Sequence, residues 1–144
     1  MSDVDLKGLF LKHADTLRRY LLRKVRDPQL AADLVQESFL RLAQKPSSER
    51  IDNSQGYLYR TASNLLIDHI RQEARRKTDT VPHEALAEIE DDVAGLEAQA
   101  MAQQQRQALK QALAELPERT QQIFRLNRIE GMTHAQVARH LDIS

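Results

Sequence analysis

Hydrophobic side chains recur along this chain every three or four residues, in separate runs bounded by proline, glycine or polar clusters. That spacing predicts amphipathic α-helices throughout. The first run, Asp5–Arg26, carries Leu6, Leu9, Phe10, His13, Leu17, Tyr20, Leu21 and Val25 in one stripe. It stops at Asp27-Pro28, where Asp27 suits the cap of a new helix and Pro28 its first position. The second run, Pro28–Lys45, turns Ala31, Leu34, Val35, Phe39 and Leu42 inward. Pro46–Asn53 is a loop by composition, and Asn53 or Ser54 can cap a third helix over Ser54–Lys77. Beyond Lys77 the periodicity weakens around Pro82 and Gly95, which predicts a linker with one helical turn at most. Helical spacing resumes from Gln99 to Leu116 with Met101, Leu109, Ala112 and Leu113. Pro117 then opens a helix carrying Ile123, Leu126 and Ile129, and Gly131 closes it. Thr133 with Gln136 makes a capping box for a short last helix that packs Val137 and Leu141.

The polar faces of two of these helices differ from ordinary solvated surface. On the third helix Leu58, Tyr59, Ala62, Leu65, Leu66 and Ile70 form the dry stripe. Opposite them lie Arg60, Asn64, Asp68, Arg71 and Arg75, and the helix ends in RQEARRK, four cations against one carboxylate. Cations in a last turn also complement the helix dipole, so the ending alone decides nothing. The second helix sets Leu40 among Asp33, Gln36, Glu37 and Gln44. A lone exposed leucine means little, but an apolar anchor ringed by acids and amides on a rigid helix has the make-up of a docking patch. His13 falls inside an apolar stripe and is expected in the core.

Composition narrows the classes. The 144 residues suit one domain or two small ones, and 4% aromatic content without tryptophan calls for an aliphatic core. Four glycines and four prolines are too few for the turns of a many-stranded β fold. Cysteine is absent, which removes disulfides and thiolate metal sites. With no basic-then-apolar leader and no long apolar run, the expectation is a soluble, cytoplasmic chain. Net charge is zero, but residues 1–77 hold 15 cations and 10 carboxylates while Asp79–Glu97 holds seven carboxylates and no Lys or Arg. The front half is thus suited to a polyanion and the segment behind it is not. The five histidines show no ligand spacing, and there is no glycine-rich phosphate loop or nucleophile–base set, so no cofactor, metal or catalytic residue is expected.

The helix, glycine break, capped helix and turn near the C-terminus are the opening of a helix-turn-helix. Together with the run Ala32–Leu42, the run Tyr57–Asn64, Asp68 and the Arg75-Arg76 pair, the chain resembles the bacterial extracytoplasmic-function (ECF) sigma factors. The first set looks like their region 2. Leu116-Pro117-Glu118-Arg119, Glu130-Gly131-Met132-Thr133 and Gln136-Val137-Ala138 look like the start of region 4. The opening Leu9-Phe10 to Arg23-Lys24 leans towards the iron-starvation subgroup.

The resemblance implies an all-α protein of two small domains: region 2 over residues 1–77, an acidic linker over 78–98, and region 4 over 99–144. The family's second helix-turn-helix segment would begin just after Ser144, so truncation before the recognition helix is expected, leaving that domain short of part of its core. The implied partners are core RNA polymerase (the β′ clamp helices and β flap), promoter DNA, and an anti-sigma factor that is membrane-bound in the iron-starvation subgroup. Asp33, Gln36, Glu37, Leu40 and Gln44 would dock on the clamp helices. Glu49, Arg50, Ile51, Asp52, Asn53 and Ser54, with Asn64, would form the pocket for a base flipped from the minus-ten element, where an amide can both donate and accept. Tyr57 would stack on a base, whereas Tyr59 points to the core. Arg60, Arg71, Arg75 and Arg76 would hold phosphates, which position without specifying. Thr133, Gln136, Val137 and Leu141 build the helix-turn-helix. A second reading is a helix-turn-helix regulator that binds duplex operators without polymerase.

Overall fold

A computed structural model describes residues 5–45 and 53–143, and every regular element among them is helical. The order is α1 (Leu6–Val25), α2 (Pro28–Ala43), α3 (Ser54–Arg76), α4 (His83–Ala114), α5 (Glu118–Phe124) continuing into a π turn (Arg125–Ile129), and α6 (His134–His140). The chain divides into two units, residues 1–101 and 102–144.

In the first unit the boundaries follow local chemistry. Asp5 caps α1 through the Gly8 amide, and Arg26 ends it in a left-handed conformation. The Asp27 carboxylate accepts from the amides of Gln29 and Leu30, and Pro28 fills the first turn of α2. Asn53 supplies the cap of α3 by accepting from Gly56. These caps fix where helices start; packing fixes where they sit.

α3 is the centre of the unit. Nine of its residues are buried, including Leu58, Tyr59, Ala62 and Leu66 as expected, but also Thr61, Ser63 and Ile67. They join Leu17, Tyr20 and Leu21 of α1 and Ala31, Val35, Phe39 and Leu42 of α2 in one aliphatic core. Each fully buried Leu in such a core contributes roughly 1.5–3 kcal/mol. Exposed ion pairs such as Arg18–Asp15 at 2.9 Å contribute about 0–1 kcal/mol each. The core holds the unit together. Several expected core positions sit further out: Leu6, Leu9, Val25, Leu34 and Ile70 are half-buried, and Phe10 is 51% exposed while its ring packs against Phe39.

The stretch expected as a linker is instead the start of α4, and its Leu86, Ile89 and Val93 are buried in the same core. Spacings of three and four put these residues, with Leu96, on one stripe, and the carboxylates between them face outward. Asp92 then closes the contact with α1, accepting from the Tyr20 hydroxyl at 3.0 Å with Lys24 at 3.8 Å. Burial, with the Asp92 carboxylate as acceptor, pushes the Tyr20 hydroxyl well above its ordinary range.

The second unit is smaller. Leu126 and Val137 are its buried apolar side chains, whereas Leu109, Leu116 and Ile129 are exposed. Pro117 is the cap residue of α5 rather than its first helical residue. Gln121 bridges back to the Leu116 carbonyl at 2.8 Å, and Asn127 donates to that of Met132 at 2.7 Å. Gly131 sits at φ 73°, a left-handed turn that glycine adopts without strain. The Thr133–Gln136 capping box forms as expected, Val137 is buried and Leu141 half-buried.

His13 is 2% exposed, and its Nδ1 lies 2.7 Å from the Tyr59 hydroxyl, joining α1 to α3. Burial, helped by Lys12, lowers the His13 pKa below its ordinary value of 6.5. Burial and the charge of Glu97 raise that of Tyr59 to about 12, so both groups are neutral in the folded chain. Below pH 6.5 the unfolded chain takes up a proton that folded His13 resists, so stability is full above that pH and falls as pH drops through the folded value. Urea denaturation at pH 7.5 and 5.5 should show this loss, reduced in His13→Gln; an equal loss in both proteins would contradict it.

Candidate nucleic-acid interface

α3 is buried on most sides and open on one. At about 100° per residue, Arg60, Asn64, Asp68, Arg71 and Arg75 fall within an arc of about 80°, and all five are exposed. The arc is narrow because Thr61, Leu65 and Ile67 are buried at its two edges. Elsewhere on the unit Arg18 and Arg19 pair with Asp15, Lys24 with Asp92 and Arg76 with Glu73. Among the described residues Arg60, Arg71 and Arg75 have no ion-pair partner. A guanidinium left unpaired and solvated keeps all five donors for phosphate oxygens.

Around this arc the expected site residues divide. Tyr57 shares the arc and is half-buried, with the Lys45 ammonium 5.2 Å from its ring centre. A base stacking on that ring face would have to displace a cation worth about 0.5–1 kcal/mol at an exposed site. Tyr59 is 1% exposed in the core, as expected. Asn53 uses its side-chain oxygen to cap α3, accepting from the Gly56 amide at 2.8 Å. A Cβ on Gly56 would meet the Asn53 side-chain amide, so a larger residue there would push the capping group aside. Ser54 is the first residue of α3 and half-buried. Arg76 stands apart: it lies about 120° round the helix from the centre of the arc, 2.8 Å from Glu73. Glu49, Arg50, Ile51 and Asp52 lie outside the described residues.

The polar face of α2 forms a second surface. Asp33, Gln36, Leu40 and Gln44 are exposed and Glu37 is half-buried, all within an arc of about 100°. Leu40 is 48% exposed, and Asp33 accepts from Gln29 at 2.9 Å. The Ser38 hydroxyl donates to the Leu34 carbonyl one turn back at 2.8 Å, which lets a polar residue face the core. In the second unit Thr133 and Gln136 are exposed and bonded to each other's backbone. Sequence reasoning missed the connection after α3, where Thr80 and His83 stand beside Arg71 and Arg75; only the chain reversal reveals that neighbourhood.

The Asn53 cap is testable. Asn53→Ala should cost about 1 kcal/mol of stability, read as a lower urea midpoint with an unchanged slope; no loss would show that the cap is dispensable.

Comparison with known proteins matches this architecture module by module. The Sigma-70 region 2 family covers residues 9–76, the span of α1 to α3, and the Sigma-70 region 4 family covers residues 106–144. The ferric citrate uptake sigma factor FecI of Escherichia coli K12 is 25% identical over 148 aligned residues, spanning 99% of this chain and 82% of that protein. The ECF RNA polymerase sigma factor SigE of Mycolicibacterium smegmatis is 29% identical over 76 residues, 53% of this chain and 30% of that protein. A regulator acting without polymerase is not favoured by a region 2 match. With both modules present in the sigma factor order, the chain belongs to the sigma-70 family, as a sigma factor of the extracytoplasmic-function group.

Proposed function

We propose that the two exposed helix faces divide the work of a sigma factor, whose partners are core RNA polymerase and promoter DNA. The α2 face, Asp33, Gln36, Glu37, Leu40 and Gln44, docks on a cationic helical element of the polymerase, the β′ clamp helices, with the β flap as the partner of the second unit. The α3 arc takes the unpaired strand of the minus-ten element. Arg60, Arg71 and Arg75 hold phosphates, and Asn64 offers its amide to the edge of a displaced base, replacing hydrogen bonds lost on leaving the duplex. No covalent step is needed: opening is driven by capture of the base, and the protein is a binding subunit rather than a catalyst.

The observation that carries this reading is the set of guanidinia, without an ion-pair partner among the described residues, that flank Asn64 on a largely buried helix. The carboxylates Asp15, Glu73 and Asp92 take up other cations of the unit and leave these three to the solvent. Likeness to a ferric citrate uptake sigma factor along nearly the whole chain supports control of iron-uptake or stress genes. It also supports release from an anti-sigma factor, membrane-bound as in the iron-starvation subgroup. Among the described residues no helix is long and apolar enough to cross a membrane, and we assign the protein to the cytoplasm with the polymerase.

Two substitutions separate the faces. Asn64→Ala should lower promoter opening at least tenfold, measured by permanganate reactivity of unpaired thymines, while leaving affinity for core polymerase unchanged; parallel loss of both would remove Asn64 from the pocket. Leu40→Asp should abolish capture of core polymerase in a pull-down, and undiminished capture would remove α2 from the interface.

A further inference from the structure

The end of α3 and the chain leaving it line an open notch of about 320 Å³ that the family assignment leaves unexplained. The reversal that builds it is visible in the backbone. The Thr78 amide donates to the Arg75 carbonyl at 3.2 Å and the Asp79 amide to the Ala74 carbonyl at 2.7 Å, the paired bonds of a Schellman motif. Thr78 takes the left-handed position at φ 57°, where glycine is usual. The chain from Asp79 to His83 is thereby laid back beside the last turns of α3.

What the notch collects is chemically specific. It is lined by Arg71 and Arg75, one turn apart, whose guanidinia have no ion-pair partner among the described residues. Thr80, a hydroxyl donor, and His83, a ring N–H donor, line it with them, beside Ala74, Val81 and Leu86. Two guanidinia with a hydroxyl and an imidazole in one notch suit a single tetrahedral anion. The notch continues the arc of Arg60 and Asn64 along α3, so a strand lying on that arc runs into it.

We propose that Thr80 and His83, from the connection between α3 and α4, complete with Arg71 and Arg75 a seat for one DNA backbone phosphate at the end of the α3 arc. The inference rests on the reading of that arc as a strand-binding face. It adds residues from beyond α3 to the contact and gives the packed start of α4 a role in placing DNA: Leu86, buried in the core, fixes the segment that carries His83. Asp79, which also lines the notch, opposes the anion and tunes the affinity of the seat.

The test is holoenzyme reconstituted from the full chain and core polymerase, titrated at several salt concentrations with forked DNA whose unpaired strand carries the minus-ten segment. Arg75→Gln, which removes one cation from the seat, should lower the slope of log affinity against log salt by about 0.7–0.9. The double variant Thr80→Ala/His83→Ala removes donors and leaves both guanidinia, so affinity for the fork should fall about 3- to 10-fold with the slope and core binding unchanged. Asp79→Asn should act in the opposite direction and tighten the fork complex, a gain that misfolding does not produce. Unchanged fork affinity in the double variant, with Asn64→Ala still defective in opening, overturns the phosphate seat and leaves the strand-binding arc standing. If Asn64→Ala is silent as well, the arc itself is wrong. Loss of core affinity in the double variant also overturns the seat, in favour of a protein contact.

Discussion

The structure depends on burying α3 from three directions at once. α1 and α2 cover it with Leu17, Leu21, Phe39 and Leu42, and the start of α4 adds Leu86, Ile89 and Val93 to the same core. Nothing else in the first unit has comparable energy: the ion pairs among its described residues are exposed or half-exposed and between residues that keep much of their hydration. Burial on that scale leaves α3 no freedom to rotate about its axis. The one arc left in water is therefore fixed in direction, and the side chains on it are held ready for a ligand before the ligand arrives. Preorganisation of this kind reduces the ordering cost of binding.

Charge is distributed with the same economy. Arg18 and Arg19 on α1 and Arg76 at the end of α3 pair with nearby carboxylates, whereas among the described residues Arg60, Arg71 and Arg75 do not. The acidic residues of α4 face away from the core and exclude a polyanion from that side. A DNA strand is thus confined to the arc by attraction along it and repulsion behind it. The His13–Tyr59 bond lies on the opposite side of α3 from the arc, where a neutral polar pair fixes the register of α1 without placing a charge in the core.

Much of this was legible in the sequence, for identifiable reasons. Helix starts were, because Asp27-Pro28, Asn53 and the Thr133–Gln136 box act through local hydrogen bonds. The dry and wet sides of α3 were, because a period of 3.6 needs no knowledge of partners. The helical character of the 83–98 segment was not. Leu86, Ile89, Val93 and Leu96 have helical spacing, but seven carboxylates in Asp79–Glu97 mask it in any average over the window. Burial of Thr61 and Ser63 was hidden too, because small hydroxyl side chains read as surface in a polar pattern. The π turn at Arg125–Ile129 and the left-handed Thr78 and Asp142 have no signature in residue type. Of the cations at the end of α3, Arg76 could be separated from Arg75 only by its geometry, since both sit in one basic run.

The central claim is that the buried core of α3 holds one solvated arc in place for an unpaired strand. A photoreactive amino acid placed at position 64, in holoenzyme bound to promoter DNA, tests it most directly. The account predicts adducts with the unpaired strand of the minus-ten segment, appearing only when core polymerase is present, and none from the same group placed at position 109 in the second unit. Adducts confined to double-stranded DNA, or equal labelling with and without core polymerase, would contradict it.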